Sequence, residues 1–154
     1  TLSSSVFLNN APIPSRFTCD RENINPPLTI SNVPDSAQSL VLIMEDPDVP
    51  KEVREDQMFD HWILFNIPVD TKEINEGDTV GTPGANSRGK SEYTGPCPPT
   101  QYQPTEHRYF FKLFALDTTL DLMPGAPKAA VRSAMEGHVL ASTELMGRYQ
   151  RHEN

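Results

Sequence analysis

The chain has 154 residues, 36% of them hydrophobic, with 21 acidic against 13 basic side chains and a formal net charge of −8. That length buries a core as one domain, residues 1–154, without staples. The acidic balance and the absence of any lysine or arginine stripe argue against a nucleic-acid partner, and no apolar run approaches the roughly 20 residues that span a bilayer. A soluble protein is expected. Its location is expected to be cytoplasmic, or periplasmic if a leader has been removed; the opening at Thr1, with no basic segment followed by an apolar one, does not itself place it.

Fifteen prolines, about double ordinary usage, fall in clusters between apolar runs. Before about residue 126 they cut the chain into strand-length pieces and exclude a long helix. In chain order, residues 4–8 and 28–31 are short strand candidates. Residues 39–45, 61–67 and 109–116 are the best strands, apolar on both alternating faces, as suits strands covered on both sides. Alternation puts His61, Ile63 and Phe65 on one face of the second of these. In the third it groups Tyr109, Phe111, Leu113 and Ala115, with Phe110, Lys112, Phe114 and Leu116 opposite. Residues 76–103, rich in Gly, Pro, Ser, Thr and Asn, read as long ordered loops of the kind that carry function. Good helix formers follow Pro124-Gly125 over residues 128–135, with Gly137 as the stop. A second short helix over 138–142 and a strand over 145–150 complete a mainly β architecture.

Polar residues gather at strand ends and turns. In Asp46-Pro47-Asp48, proline holds Asp46 at the end of a strand and starts a turn at Asp48, which suits either a plain Asx-type turn or a carboxylate that orients a histidine or an arginine. His61 opens a hydrophobic run; a lone strand histidine is more often a core residue than a ligand. His107 and Tyr109 point to one face while Arg108 points away, and Arg108 is expected to pair with Asp46. In Gly95-Pro96-Cys97-Pro98-Pro99 the glycine lets a ligand approach the backbone and the prolines stiffen the loop. Cys19 and Cys97 either pair in an oxidising compartment or stay reduced in a cytoplasmic one, and the base rate by compartment favours the reduced pair. No G-x-S-x-G nucleophile elbow occurs.

Taken in order, Asp46-Pro47-Asp48-x-Pro50, His61-Trp62, Gly95-Pro96 and His107-Arg108-Tyr109 resemble the phosphatidylethanolamine-binding protein family, which includes the Raf kinase inhibitor proteins. Phe17-Thr18-Cys19-Asp20, Glu22-Asn23-Ile24-Asn25-Pro26-Pro27-Leu28, Phe65-Asn66-Ile67-Pro68, Gly95-Pro96-Cys97-Pro98-Pro99 and Met135-Glu136-Gly137-His138-Val139-Leu140-Ala141 look like its bacterial and archaeal branch. The resemblance covers nearly the whole chain. It implies a β-sandwich-like fold, a large central sheet flanked by a smaller one with short helices near the C-terminus, and an anion pocket at one end of the large sheet. The pocket residues it implies are Asp46, His61, Gly95, Pro96, His107 and Tyr109, supported by Asp48 and Arg108. The shared motifs containing Cys19 and Cys97 favour their lying close together. Animal members carry a tyrosine shortly before the pocket histidine, whereas this chain offers Met58 and Phe59.

The implied function is non-enzymatic binding of a phosphate-bearing small ligand, a lipid headgroup or a phosphopeptide, with no cofactor. A protein partner such as a kinase and a homodimer are further implications. The alternatives are a hydrolase or metal-dependent enzyme built on His61, His107 and Asp46, and a protease or kinase inhibitor acting through surface loops. Arg108 and the proline-rich walls favour an anion over a metal cation. Anion binding is expected to strengthen as pH falls, through protonation of His61 or His107.

Overall fold

Two β-sheets and one α-helix organise the protein, whose computed structural model describes residues 1–152. In chain order the elements are β1 (Leu2–Ser3), β2 (Ala11–Pro12), a 3-10 turn (Ser15–Phe17), β3 (Leu28–Ile30), β4 (Ser39–Asp46), β5 (Phe59–Ile67), β6 (Glu73–Ile74), β7 (Thr82–Pro83), β8 (Glu106–Leu116), α1 (Lys128–Met135) and β9 (Val139–Gln150). The large sheet has the order β2-β9-β8-β4-β5-β7 and the small one β1-β3-β6. β4 lies inside the large sheet between antiparallel β5 and β8, which is why its Ser-Leu-Val-Leu-Ile-Met-Glu-Asp run is buried at every position.

Each face of the large sheet has its own apolar cluster. On one side Leu40, Leu42, Met44, Trp62, Leu64, Tyr109 and Phe111 pack with Leu28, Ile30 and Ile74 of the small sheet. On the other, Val41, Ile43, Ile63, Phe65, Phe114 and Leu116 pack under Val131 and Met135 of α1. The alternation read from residues 109–116 therefore holds, with Tyr109, Phe111, Leu113 and Ala115 in the first cluster. α1 spans the expected residues, and Gly137 follows it at φ 81°, a left-handed turn that glycine adopts without penalty.

Three expectations fail for physical reasons, and three short strands leave no mark in the sequence. Residues 138–142 are not a helix: β9 begins at Val139 and pairs with β8 from Leu116 down to Glu106. The eleven-residue backbone of β8 offers a ladder that outweighs local propensity. Residues 4–8 are not a strand; β1 stops at Ser3, and the Ser4 hydroxyl turns to the Pro27 carbonyl while accepting from the Val6 amide. The two-residue strands β2, β6 and β7 are too short to leave any period in the sequence. Finally, His61 does not share a face with Ile63 and Phe65. Met44 pairs with Trp62 but Glu45 pairs with Asp60, so the ladder skips His61 in a β-bulge. Ile63 and Phe65 stay in the α1-side cluster while His61 turns to the opposite side, beside Tyr109.

Candidate functional site

The bulge aims His61 into a cavity of about 190 Å³ at the end of the large sheet. The strand ends bring Asp46 from β4, His61 from β5, and His107 and Tyr109 from β8; Arg88, Thr94, Gly95, Pro98 and Pro99 close it from the loops. A volume below the ~300–1,000 Å³ of drug-sized pockets suits a headgroup-sized ligand.

Asp46 is held from both sides. Its Oδ1 accepts the Asp48 amide at 2.7 Å, so the Asx-type turn is present, and its Oδ2 lies 2.6 Å from His107 Nδ1. His107, 1% exposed, also places Nε2 3.0 Å from the Pro104 carbonyl. Both of its ring nitrogens are engaged within the protein, so it orients the carboxylate and presents no spare N–H to the cavity. His61 differs. Its Nδ1 donates to the Thr94 carbonyl at 2.6 Å, which fixes the tautomer and leaves Nε2, bonded to none of the described residues, as the lone-pair nitrogen of a ring that lines the cavity. Burial drives its pKa from 6.5 down to about 4, against the smaller upward pull of the Thr94 carbonyl, Asp46 and Asp60. The ring is neutral near pH 7, and Nε2 is an acceptor.

Tyr109 is fully buried between the two imidazoles, with ring centroids 5.2 Å from His61 and 6.3 Å from His107. Its hydroxyl has no hydrogen-bond partner among the described residues. Desolvation, with smaller contributions from Asp46, raises its pKa well above the usual phenol value, so it remains an O–H donor. An orphaned hydroxyl at the wall of a cavity marks a place where a ligand or water completes the site.

Arg108 does not pair with Asp46. Its guanidinium grips Asp48 through Nε at 2.9 Å and a terminal nitrogen at 2.8 Å, and its amide donates to the same carboxylate. The reason is parity: Asp46 faces inward while Arg108 faces outward, so only the carboxylate beyond Pro47 can reach it. Neither Asp48, Arg108 nor Pro96 lines the cavity. Pro96 acts behind the wall, where its carbonyl accepts the Cys19 amide at 3.1 Å. Gly95 lines the cavity, yet ligand approach is not what its missing side chain serves. A Cβ there would run into the Phe17 carbonyl oxygen and Asn23 Oδ1, and its amide is already donated to Asn23 Oδ1 at 2.8 Å. Cys19 and Cys97 are joined in a disulfide, contrary to the reduced pair that compartment statistics favour.

Behind the cavity, the outward residues of the same strands form an ion cluster. Lys128 at the start of α1 reaches Glu45 at 2.8 Å and Asp60 at 2.6 Å, and Lys112 reaches Glu45 at 2.5 Å. Burial would raise the Glu45 pKa, but the two ammonium groups hold it below the usual carboxylate value. Among the described residues no three His, Cys, Asp or Glu side chains are placed to hold a metal ion.

The model of the family described as phosphatidylethanolamine-binding protein matches residues 3–150. The chain belongs to this family. A UPF0098 protein of Methanothermobacter thermautotrophicus is 48% identical over 157 aligned residues, 97% of this chain and 98% of the relative. A UPF0098 protein of Chlamydia pneumoniae is 45% identical, with the same shares of both chains covered. Among solved structures, a phosphatidylethanolamine-binding protein homologue from Chlamydia trachomatis, CT736, superposes with a TM-score of 0.93 at 42% identity over 98% of this chain and 97% of that one. Escherichia coli YbcL, described as a new member of the mammalian family, has the same fold at a TM-score of 0.85 and 23% identity, over 98% of each chain.

Two polar residues at the cavity of this family member, Arg88 and Thr94, are not legible in the sequence. Arg88 is the one Lys or Arg among the described residues that line the cavity. Asn86 builds its loop: Asn86 Oδ1 accepts the Arg88 and Lys90 amides, and its Nδ2 donates to the Glu92 carbonyl. Ser87 pins the loop to β5 through exchanged bonds with the Asp60 backbone. In the sequence Arg88 stands in Ser-Arg-Gly-Lys, indistinguishable from a solvated loop charge. Thr94 is likewise missed, because its contribution is a carbonyl that any residue carries.

Proposed function

We propose that this family member binds, without catalysis, a small oxyanion of the phosphoryl type. The unpartnered Tyr109 hydroxyl, fully buried beside the cavity, carries the reading. Arg88 at the cavity and the small volume support it, and the family supports a ligand-binding role in general. A free phosphorylated metabolite, a lipid headgroup and a phosphopeptide share that chemistry. Regulation of a kinase or another protein partner rests on the family alone. A homodimer is supported by the outer edge of β9 before Met146, which β2, paired at Gly147 and Arg148, and the Asn9 and Asn10 bonds to Met146 do not reach. Periplasmic residence is the location that a disulfide favours.

Calorimetry with inorganic phosphate, comparing wild type with Tyr109→Phe, tests the reading. Removing an unsatisfied buried hydroxyl leaves folding stability equal or higher by up to about 1 kcal/mol, while phosphate affinity drops about tenfold. Absence of binding by the wild type, or equal binding by the variant, refutes the reading.

A further inference from the structure

We propose that the site selects an oxyanion that brings its own proton: a singly protonated phosphate or phosphomonoester, whose P–OH donates to His61 Nε2, in preference to a phosphodiester or a sulfate. This rests on the anion-binding reading above and adds the ligand class to it. The polar groups of the inner wall are acceptors or are already engaged. His61 Nδ1 is spent on the Thr94 carbonyl, so Nε2 offers a lone pair; Asp46 is a carboxylate; His107 has both nitrogens engaged; the Gly95 amide is bonded to Asn23. Donors left at the cavity are the hydroxyls of Tyr109 and Thr94 and the side chain of Arg88.

An anion without a proton would set a charged oxygen against the Nε2 lone pair. The monoanion of a phosphomonoester meets both needs, with P–OH toward His61 and unprotonated oxygens toward Tyr109 and Arg88. The groups facing His61 leave this pattern intact. Asp46 of β4 and Asp60 of its own strand attract a proton to the ring, His107 of β8 opposes one, and burial dominates. Tyr109 of β8 and Arg88 supply no proton to Nε2 near neutral pH. No bond to phosphorus forms or breaks, and the proton stays on the ligand.

Methyl phosphate and methyl sulfate are the deciding probes, because as monoanions they share shape and charge and differ in the proton. Calorimetry on the full chain at pH 5.5, where methyl phosphate is mostly singly protonated given its second pKa of about 6, is expected to show methyl sulfate and dimethyl phosphate bound at least about tenfold more weakly. Methyl phosphate affinity should fall roughly twentyfold from pH 5.5 to 7.5 as the P–OH is lost. In His61→Gln, whose amide can turn an N–H to the cavity, the preference over methyl sulfate should shrink below about threefold. Equal binding of methyl sulfate by the wild type, a methyl phosphate affinity that is flat or rises toward pH 7.5, or full discrimination in the variant overturns the proposal. If inorganic phosphate binds in those cases, the anion-binding reading survives. If neither phosphate nor methyl phosphate binds, both fall.

Discussion

Burying His61 against the Thr94 carbonyl makes folding sensitive to pH in a window that the residue itself defines. The unfolded chain accepts a proton at the ordinary value of 6.5, whereas the folded chain refuses it until about 4. Between those values the unfolded state binds more protons, so stability rises with pH and is lost as pH falls. At about 1.4 kcal/mol per unit, His61 costs the protein about 3 kcal/mol on going from above pH 6.5 to pH 4. Urea unfolding at pH 7.5, 5.5 and 4 should show His61→Gln with a shallower decline than wild type by that amount; parallel curves would refute it. The same burial removes His61 from the two histidines expected to make binding pH-dependent, since a ring neutral down to about pH 4 cannot be what titrates between pH 5.5 and 8. The residue-level pairing was half legible. Asp46-Pro47-Asp48 and His107-Arg108-Tyr109 were readable as partners, but which carboxylate meets which cation depends on the inward or outward aim of each side chain across two strands.

Elements place these residues through departures from regularity. The alternation in β8 was readable because eleven residues repeat it, and it put His107 and Tyr109 on the cavity side. Alternation in β5 was readable and misleading, because one bulge at His61 reverses the aim of a single side chain without altering the apolar pattern that follows. β9 was only half readable, since its first residues take their strand conformation from the ladder of β8. The Gly95 turn behaves similarly: glycine there was visible, but its reason lies in contact with the 17–18 backbone and Asn23. Gly95→Ala should therefore cost about 2–3 kcal/mol through forced displacement of that wall, and should weaken phosphate binding because Thr94 and Pro98 move with it. Thermal unfolding and calorimetry on the one variant check both; an unshifted melting temperature would show that the wall yields freely.

At the scale of the molecule, the Cys19–Cys97 disulfide closes a loop over a sequence separation of 78 residues, tying the segment before β3 to the wall of the cavity. In the chain-entropy model such a cross-link restricts the unfolded state by about 4 kcal/mol, so the double variant Cys19→Ser, Cys97→Ser should unfold at correspondingly lower urea. Because the 95–97 turn is also bonded to Asn23 and Cys19 through its backbone, phosphate affinity in the folded variant should change less than threefold. A large loss of affinity with little loss of stability would reverse that assignment. The amino-acid sequence by itself determined the mainly β class, the central strands, the helix after Pro127 and the family, since local periodicity, proline placement and motif order are properties of the chain. Only the tertiary structure decided that His61 accepts, that His107 is spent on Asp46, that Arg108 holds Asp48, that the cysteines meet, and that Arg88 joins the cavity. Each of these depends on which groups distant in sequence lie within hydrogen-bonding reach and how far water is excluded from them, and no local pattern encodes either.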